Sequence, residues 1–225
     1  MVADADVPGK ARENHIQETF MGVLICVVAL TILASVVEGI FHQFILHTPQ
    51  KRLLWGLLQR AFHAHALEHH PKFRADKYQQ TPGPEDSKIS LEWYFLPTVL
   101  LLFSPLTIGA WMLWGFWEAL TVVLTTTAYY TAYEFLHWNM HFPKKGERLR
   151  WFRRFQPLKC IFEWFDRRHF VHHLADDRNF NVVLPIYDIL VGRYSVNITH
   201  IPWAIRLRKK RNLRRSQKLR EQLGK

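Results

Sequence analysis

Cysteine is nearly absent: the 225 residues hold 2, Cys26 and Cys160. Two thiols cannot make a disulfide framework, and they exclude a zinc finger of the cysteine type. No Gly/Ser-rich linker, internal repeat or low-complexity tract interrupts the chain apart from a basic tail, so nothing marks a boundary between two soluble domains. Acidic residues are scarce too, 19 against 30 Lys and Arg, which leaves a formal charge of +11. Such an excess suits nucleic acid or an anionic membrane surface, and the choice depends on where the charges lie relative to the apolar runs. At 48% the hydrophobic content is too high for a disordered chain.

Phe20 to Val37 is an 18-residue stretch without a charge, and it continues past Glu38 through Gly39, Ile40 and Phe41. That length can span a bilayer. A signal peptide is the competing reading. It is disfavoured by the acidic start (Asp4, Asp6, Glu13 and Glu18 against Lys10 and Arg12) and by the lack of a cleavage pattern after Glu38. Trp93 to Tyr133 is 41 residues long with Glu118 as its only charge. As one straight helix it would measure about 60 Å, twice the hydrocarbon core, so it is predicted to fold back as two crossings. The turn falls either at Ser104-Pro105 or between Trp114-Gly115 and Glu118. The second position divides the run evenly and sets Trp111, Trp114 and Trp117 at the interface that indole rings prefer.

The predicted fold class is therefore all-α: a multi-pass membrane helical bundle of about three spans, two of them a hairpin, with a cytoplasmic histidine-rich helical cap. Residues 1–19 form a polar N-terminal segment, 20–203 the membrane domain and 204–225 a basic tail. Basic residues number 2 before the first run, 7 between Thr48 and Ser90, and 21 after His141. By the positive-inside rule the connection and the tail are cytoplasmic. The tail, Arg206 to Arg220, is expected to meet an anionic membrane surface, where each charge near the headgroups contributes about 1 kcal/mol, or an acidic redox partner. Nucleic acid is not an expected partner, because no recognition fold accompanies the charge.

Ten of the 13 histidines fall into four short clusters: His42 and His47; His65, His69 and His70; His137 and His141; His169, His172 and His173. All four clusters fall at the inner ends of spans or in cytoplasmic segments, so they can meet on one side of the membrane. On a helix His137 and His141 share a face, while adjacent pairs such as His69-His70 and His172-His173 point about 100° apart and can supply two neighbouring metals. His42 and His47, about 140° apart on an ideal helix, require either two metals or an unwound helix end. Imidazole suits Zn, Fe, Cu and Ni, and no thiolate is near. Ten neutral nitrogens exceed the needs of one ion and favour two iron ions that are reduced and then react with O2. Zinc can replace them on purification. Glu38, Glu68 and Glu134 stand beside ligand histidines and are candidate acceptors for imidazole N–H groups, with Asp176, Asp177 and Asp188 as weaker ones. His15, His63 and His200 read as surface or capping residues.

The pattern Hx4H, Hx3HH, Hx3H, HxxHH, together with EGIFHQFILH, YEFLHWNMHFP and NFNVVLPIYDILVG, resembles the fatty acid hydroxylase superfamily, whose members include sphingolipid hydroxylases, sterol desaturases and carotene hydroxylases. The resemblance runs from about Glu38 to Gly192. It implies a membrane-bound di-iron oxygenase that hydroxylates a lipid C–H bond with O2 and electrons from an external donor, a small cytochrome or a ferredoxin with its reductase. Three departures stand out. Asn181 takes a position where the family commonly has Gly, the second cluster has one extra residue, and the stretch from His141 to His169 is longer. No segment is large enough for the fused haem donor of some members, which leans toward a bacterial inner membrane over the endoplasmic reticulum. A lipid desaturase shares this centre. A histidine-rich metal transporter or sensor is the alternative of another class, disfavoured because the clusters cap the spans and transport sites lie at the midplane.

Overall fold

The structure, a computed structural model, describes residues 8–49, 57–80, 94–142 and 155–197. Among these the regular elements are helical, and no strand occurs. The basic tail, assigned above to an anionic surface, lies outside the described residues. The α-helices are α1 (Pro8–Phe41), α2 (Leu57–Phe62), α3 (His70–Lys72), α4 (Phe95–Leu113), α5 (Phe116–His141), α6 (Gln156–Leu174) and α7 (Ile186–Leu190). A π-helical turn, His42–Leu46, extends α1, and a second, His63–His69, joins α2 to α3.

Two helical stretches among the described residues, Phe20–Leu46 and Phe95–Leu113, are long and apolar enough to cross a membrane. Their apolar side chains mostly face outward, among them Leu24, Ile25 and Val28 in the first and Leu101, Leu106 and Ile108 in the second. A core helix of a soluble protein would hide them.

The chain divides into two compact units: residues 1–34 with 93–131, and residues 35–92 with 132–225. In the first unit α4 runs straight through Pro105, one of the two positions expected for the turn. Proline cannot donate to the carbonyl four residues back, and here the Ser104 hydroxyl donates to that Leu101 carbonyl at 2.7 Å, so the helix loses a backbone bond without leaving its acceptor bare. The break comes instead at Trp114-Gly115. Gly115 has φ +115°, a value that side-chain-bearing residues rarely adopt, and the N–H groups of Trp114 and Gly115 both donate to the Ala110 carbonyl. Leu30, Ala110 and Val122 pack together in this unit. Helix α5 is less apolar, with Thr121, Thr127 and Thr131 in its length. Each of these hydroxyls donates to the carbonyl four residues earlier at 2.8 Å, so none asks for a partner outside the helix.

The second unit begins with the last turns of α1. Gly39 lies directly against the Tyr187 ring of α7, so closely that a Cβ at residue 39 would overlap the ring atoms. Ser35 donates to the Leu184 carbonyl at 2.6 Å, which ties α1 to the irregular segment before α7. Phe73 and Phe142 form a small core with Trp138, and Val171 and Leu174 form another with Ala75, Phe170 and Ala175. Asn179, two residues before Asn181, takes a left-handed backbone (φ +54°), a conformation that Asn tolerates. The Asn181 side chain works differently: its amide donates to the Ser35 carbonyl at 2.7 Å and to Glu38 at 3.2 Å, and its oxygen accepts from the Asp188 N–H, bonds that a Gly could not make.

Candidate metal centre

All ten clustered histidines belong to the second unit, and their nitrogens gather into two groups of five. The first group is His42, His47, His65, His70 and His172; the second is His69, His137, His141, His169 and His173. Within each group one nitrogen from every ring lies within 4.8 Å of all the others. In the first group Nε2 of His65 is 2.9 Å from that of His42 and 3.2 Å from that of His70, and the Nε2 atoms of His47 and His172 are 3.2 Å apart. In the second, Nε2 of His69 is 3.2 Å from those of both His137 and His173, and Nε2 of His169 is 3.1 Å from those of His141 and His173. The groups share a wall, where the rings of His70 and His173 stack with centroids 4.3 Å apart.

Local helix geometry decides which histidine joins which group. In a π turn the backbone bond runs from residue i+5 to residue i, so side chains five apart come onto one face. The His47 N–H donates to the His42 carbonyl at 3.1 Å, and the His70 N–H likewise donates to the His65 carbonyl. Both five-residue pairs thereby enter the first group. Of the two outcomes expected for His42 and His47, the structure has the unwound helix end: the last turn of α1 widens into a π turn and brings both rings into one group. The four-residue pairs His137/His141 and His169/His173 sit on regular α-helix and enter the second group. Each adjacent pair is split: His69 and His70 face different groups, and so do His172 and His173.

Neighbouring carbonyls fix two of the rings. His141 Nδ1 donates to the Tyr78 carbonyl at 2.9 Å and His172 Nδ1 to the Arg178 carbonyl at 2.8 Å, so in the neutral rings both Nε2 atoms carry lone pairs. Asp176 brings a carboxylate oxygen to 3.2 Å from His70 Nδ1. Five of these rings are held neutral for a simple reason. Burial holds His65, His69, His169 and His173 well below the usual imidazole range, with the other rings adding to the effect, and burial followed by the His70 ring lowers His172 to about 3. Five converging nitrogens cannot all pair with one another through protons, and lone pairs aimed at one point repel. A cation at that point removes both difficulties, so each group is suited to a metal ion. Cys26 and Cys160 belong to neither group.

No family model, curated protein or solved structure matches the chain.

The segment between α6 and α7 carries a dense set of charge-assisted bonds. Four successive N–H groups donate to two carboxylates: Phe180 and Asn181 to Asp188 at 2.8 and 3.0 Å, Val182 and Val183 to Glu38 at 2.5 and 3.3 Å. The carbonyls of Asn181 and Val183 accept from the Arg168 guanidinium at 2.6 and 3.1 Å. Arg168 is fully buried, and its guanidinium lies 4.4 Å from the Trp164 ring. The segment holds Phe180 against three rings of the first group, with centroids 5.9 Å from His42, 5.8 Å from His47 and 5.8 Å from His172. Glu38, expected to accept from an imidazole, thus uses its carboxylate to hold this segment. Glu134 is half-buried on α5, three residues before His137. Asp177 pairs with the Arg178 guanidinium at 3.1 Å and not with a histidine. His63 opens the second π turn and joins neither group. The roles of Arg168 and of the Tyr78 and Arg178 carbonyls were not foreseen, since backbone acceptors leave no mark in a sequence.

Proposed function

We propose that the protein is a membrane-bound non-haem di-iron oxygenase that hydroxylates a C–H bond of a lipid, such as a fatty acyl, sphingolipid or sterol chain, with O2 and electrons from an external donor. The observation that carries this reading is the pair of five-imidazole groups sharing one wall, built from the four clusters that resemble the fatty acid hydroxylase superfamily. His42, His47, His65, His70 and His172 hold one iron and the other five hold the second. When bound, the irons supply activation of O2 and removal of a hydrogen atom from an unactivated carbon.

The chain's own residues do the rest. Burial keeps His65, His69, His169, His172 and His173 neutral, the Tyr78 and Arg178 carbonyls aim two of the rings, and the Glu38, Arg168 and Asp188 bonds hold Phe180 over the first group. Helix α5 makes a third crossing, for which the internally bonded Thr121, Thr127 and Thr131 are suited. The histidine ends of α1 and α5 then lie on the cytoplasmic side, where a lipid reaches them from the bilayer and a soluble reductant from water. The reading is tested by expressing the chain and its His172→Ala variant in a host of known lipid composition and comparing lipids by mass spectrometry. A gain of one oxygen on a lipid, lost in the variant, is expected. Loss of two hydrogens instead would make the protein a desaturase, and no lipid change with metal bound would favour a transporter or sensor.

A further inference from the structure

Tyr78 orients His141 through its carbonyl, but its buried phenol has no part in that scheme. It stands just after the single turn Ala75–Lys77 and is 4% exposed. Its ring packs against three histidines of the second group, with centroids 4.9 Å from His141, 5.5 Å from His173 and 6.1 Å from His169. Its own carbonyl accepts the His141 Nδ1 proton at 2.9 Å. At the other end of the ring the hydroxyl donates to Asp166 Oδ1 at 3.0 Å, and Asp166 is half-buried, so this carboxylate also meets water.

These contacts give the phenol what one-electron chemistry requires. An electron can pass from the ring through the His141 contact toward the second group. Loss of the electron alone would leave a positive charge on a ring shut away from water, which is unfavourable. The existing hydrogen bond to Asp166 offers the proton an acceptor at no cost in rearrangement, so electron and proton can leave together.

We propose, resting on the di-iron reading above, that Tyr78 is a one-electron redox residue serving the second histidine group. The O–H bond breaks, the electron would pass to an iron of that group that O2 has oxidised above the ferric level, and the proton moves to the Asp166 carboxylate. A neutral tyrosyl radical remains, and an electron from the external donor with the returning proton restores the phenol. The residue thereby protects the centre when it is oxidised without a lipid in place, and it gives reducing equivalents a route from the aqueous side.

The test uses the full-length, detergent-solubilised protein loaded with ferrous iron, exposed to O2 without lipid substrate, frozen, and read by electron paramagnetic resonance. The expected result is an organic radical whose hyperfine pattern changes when the protein is made with ring-deuterated tyrosine. It should be lost in Tyr78→Phe at unchanged iron content and retained in Tyr133→Phe, whose ring lies near His137. Asp166→Asn should lower its yield. No tyrosine radical in the wild type with both irons bound and oxidised, or the same radical in Tyr78→Phe, would overturn the proposal and leave the di-iron reading standing. A chain that takes up no iron would overturn both, and metal analysis alone distinguishes that case.

Discussion

His172 and His173 are consecutive on α6 and serve different groups. Nε2 of His172 lies 3.2 Å from that of His47, and Nε2 of His173 lies 3.2 Å from that of His69. Single substitutions should therefore dissect the centre. His172→Ala and His173→Ala are each expected to lower the bound metal from about two ions per chain to about one, and the double variant to remove nearly all of it. Metal analysis of the purified proteins checks this. Identical loss of both ions in each single variant would mean that the groups do not bind independently.

The pH dependence follows from the neutral rings. Burial, with the His70 ring next, lowers His172 to about 3 in the folded protein, whereas an unfolded histidine titrates near 6.5. Between those values the unfolded chain binds a proton that the folded form refuses, so stability rises with pH across this window and is lost as pH falls through about 6.5. His65, His69, His169 and His173 shift in the same direction and add to the slope. The metal-free protein should lose thermal stability steeply from pH 7 to 5 and little from 7 to 8. A flat profile over the acidic range would mean that the rings are protonated when folded.

Arg168 is fully buried and bonds two carbonyls of the segment whose N–H groups Glu38 and Asp188 hold. Arg168→Ala leaves the facing carboxylates without it and is expected to cost about 3–5 kcal/mol. Glu38→Gln keeps one acceptor oxygen, so a smaller loss of about 1–3 kcal/mol is expected, with the first group's metal weakened more than the second's. Denaturation and metal titration of the two variants check both statements. Equal weakening of the two metals by Glu38→Gln would remove the link between this segment and the first group.

Gly39→Ala places a methyl where the Tyr187 ring lies. It is expected to destabilise by about 1–3 kcal/mol through overpacking, and Tyr187→Ala in the same chain should recover part of that loss. Thermal unfolding of the single and double variants measures the coupling. A neutral Gly39→Ala would show that the two elements separate at no cost.

Much of the centre was legible in advance, and the limits have physical causes. The four histidine clusters announce themselves because several imidazoles recur at helical spacing, and the adjacent pairs signal two groups because consecutive side chains diverge. The partition into fives was not legible, since it depends on π turns at His42–Leu46 and His63–His69, a backbone choice that composition does not display. Likewise Glu38, a costly carboxylate near an apolar run, marks itself as functional. Its partner Val182 lies 144 residues away and emerges only when the chain closes. The turn at Gly115 was readable from glycine and tryptophan placement, whereas the passage of α4 through Pro105 rests on one serine hydroxyl that replaces the missing donor.

His47 is the one histidine of the ten that is only partly buried, and it belongs to the first group; all five of the second group are buried. Exchange of a bound ion requires a chelator or water to replace a ligand, which an exposed ring edge permits and a closed shell resists. The first group's metal should therefore leave sooner. With a soluble chelator in excess, release from the wild type is expected in two phases, each about half of the total, set by one ion per group. His172→Ala, left with the second group's ion, should show the slow phase alone, and His173→Ala the fast phase alone. A single phase in the wild type, or the slow phase in His173→Ala, would mean that exposure at His47 does not govern access to the centre.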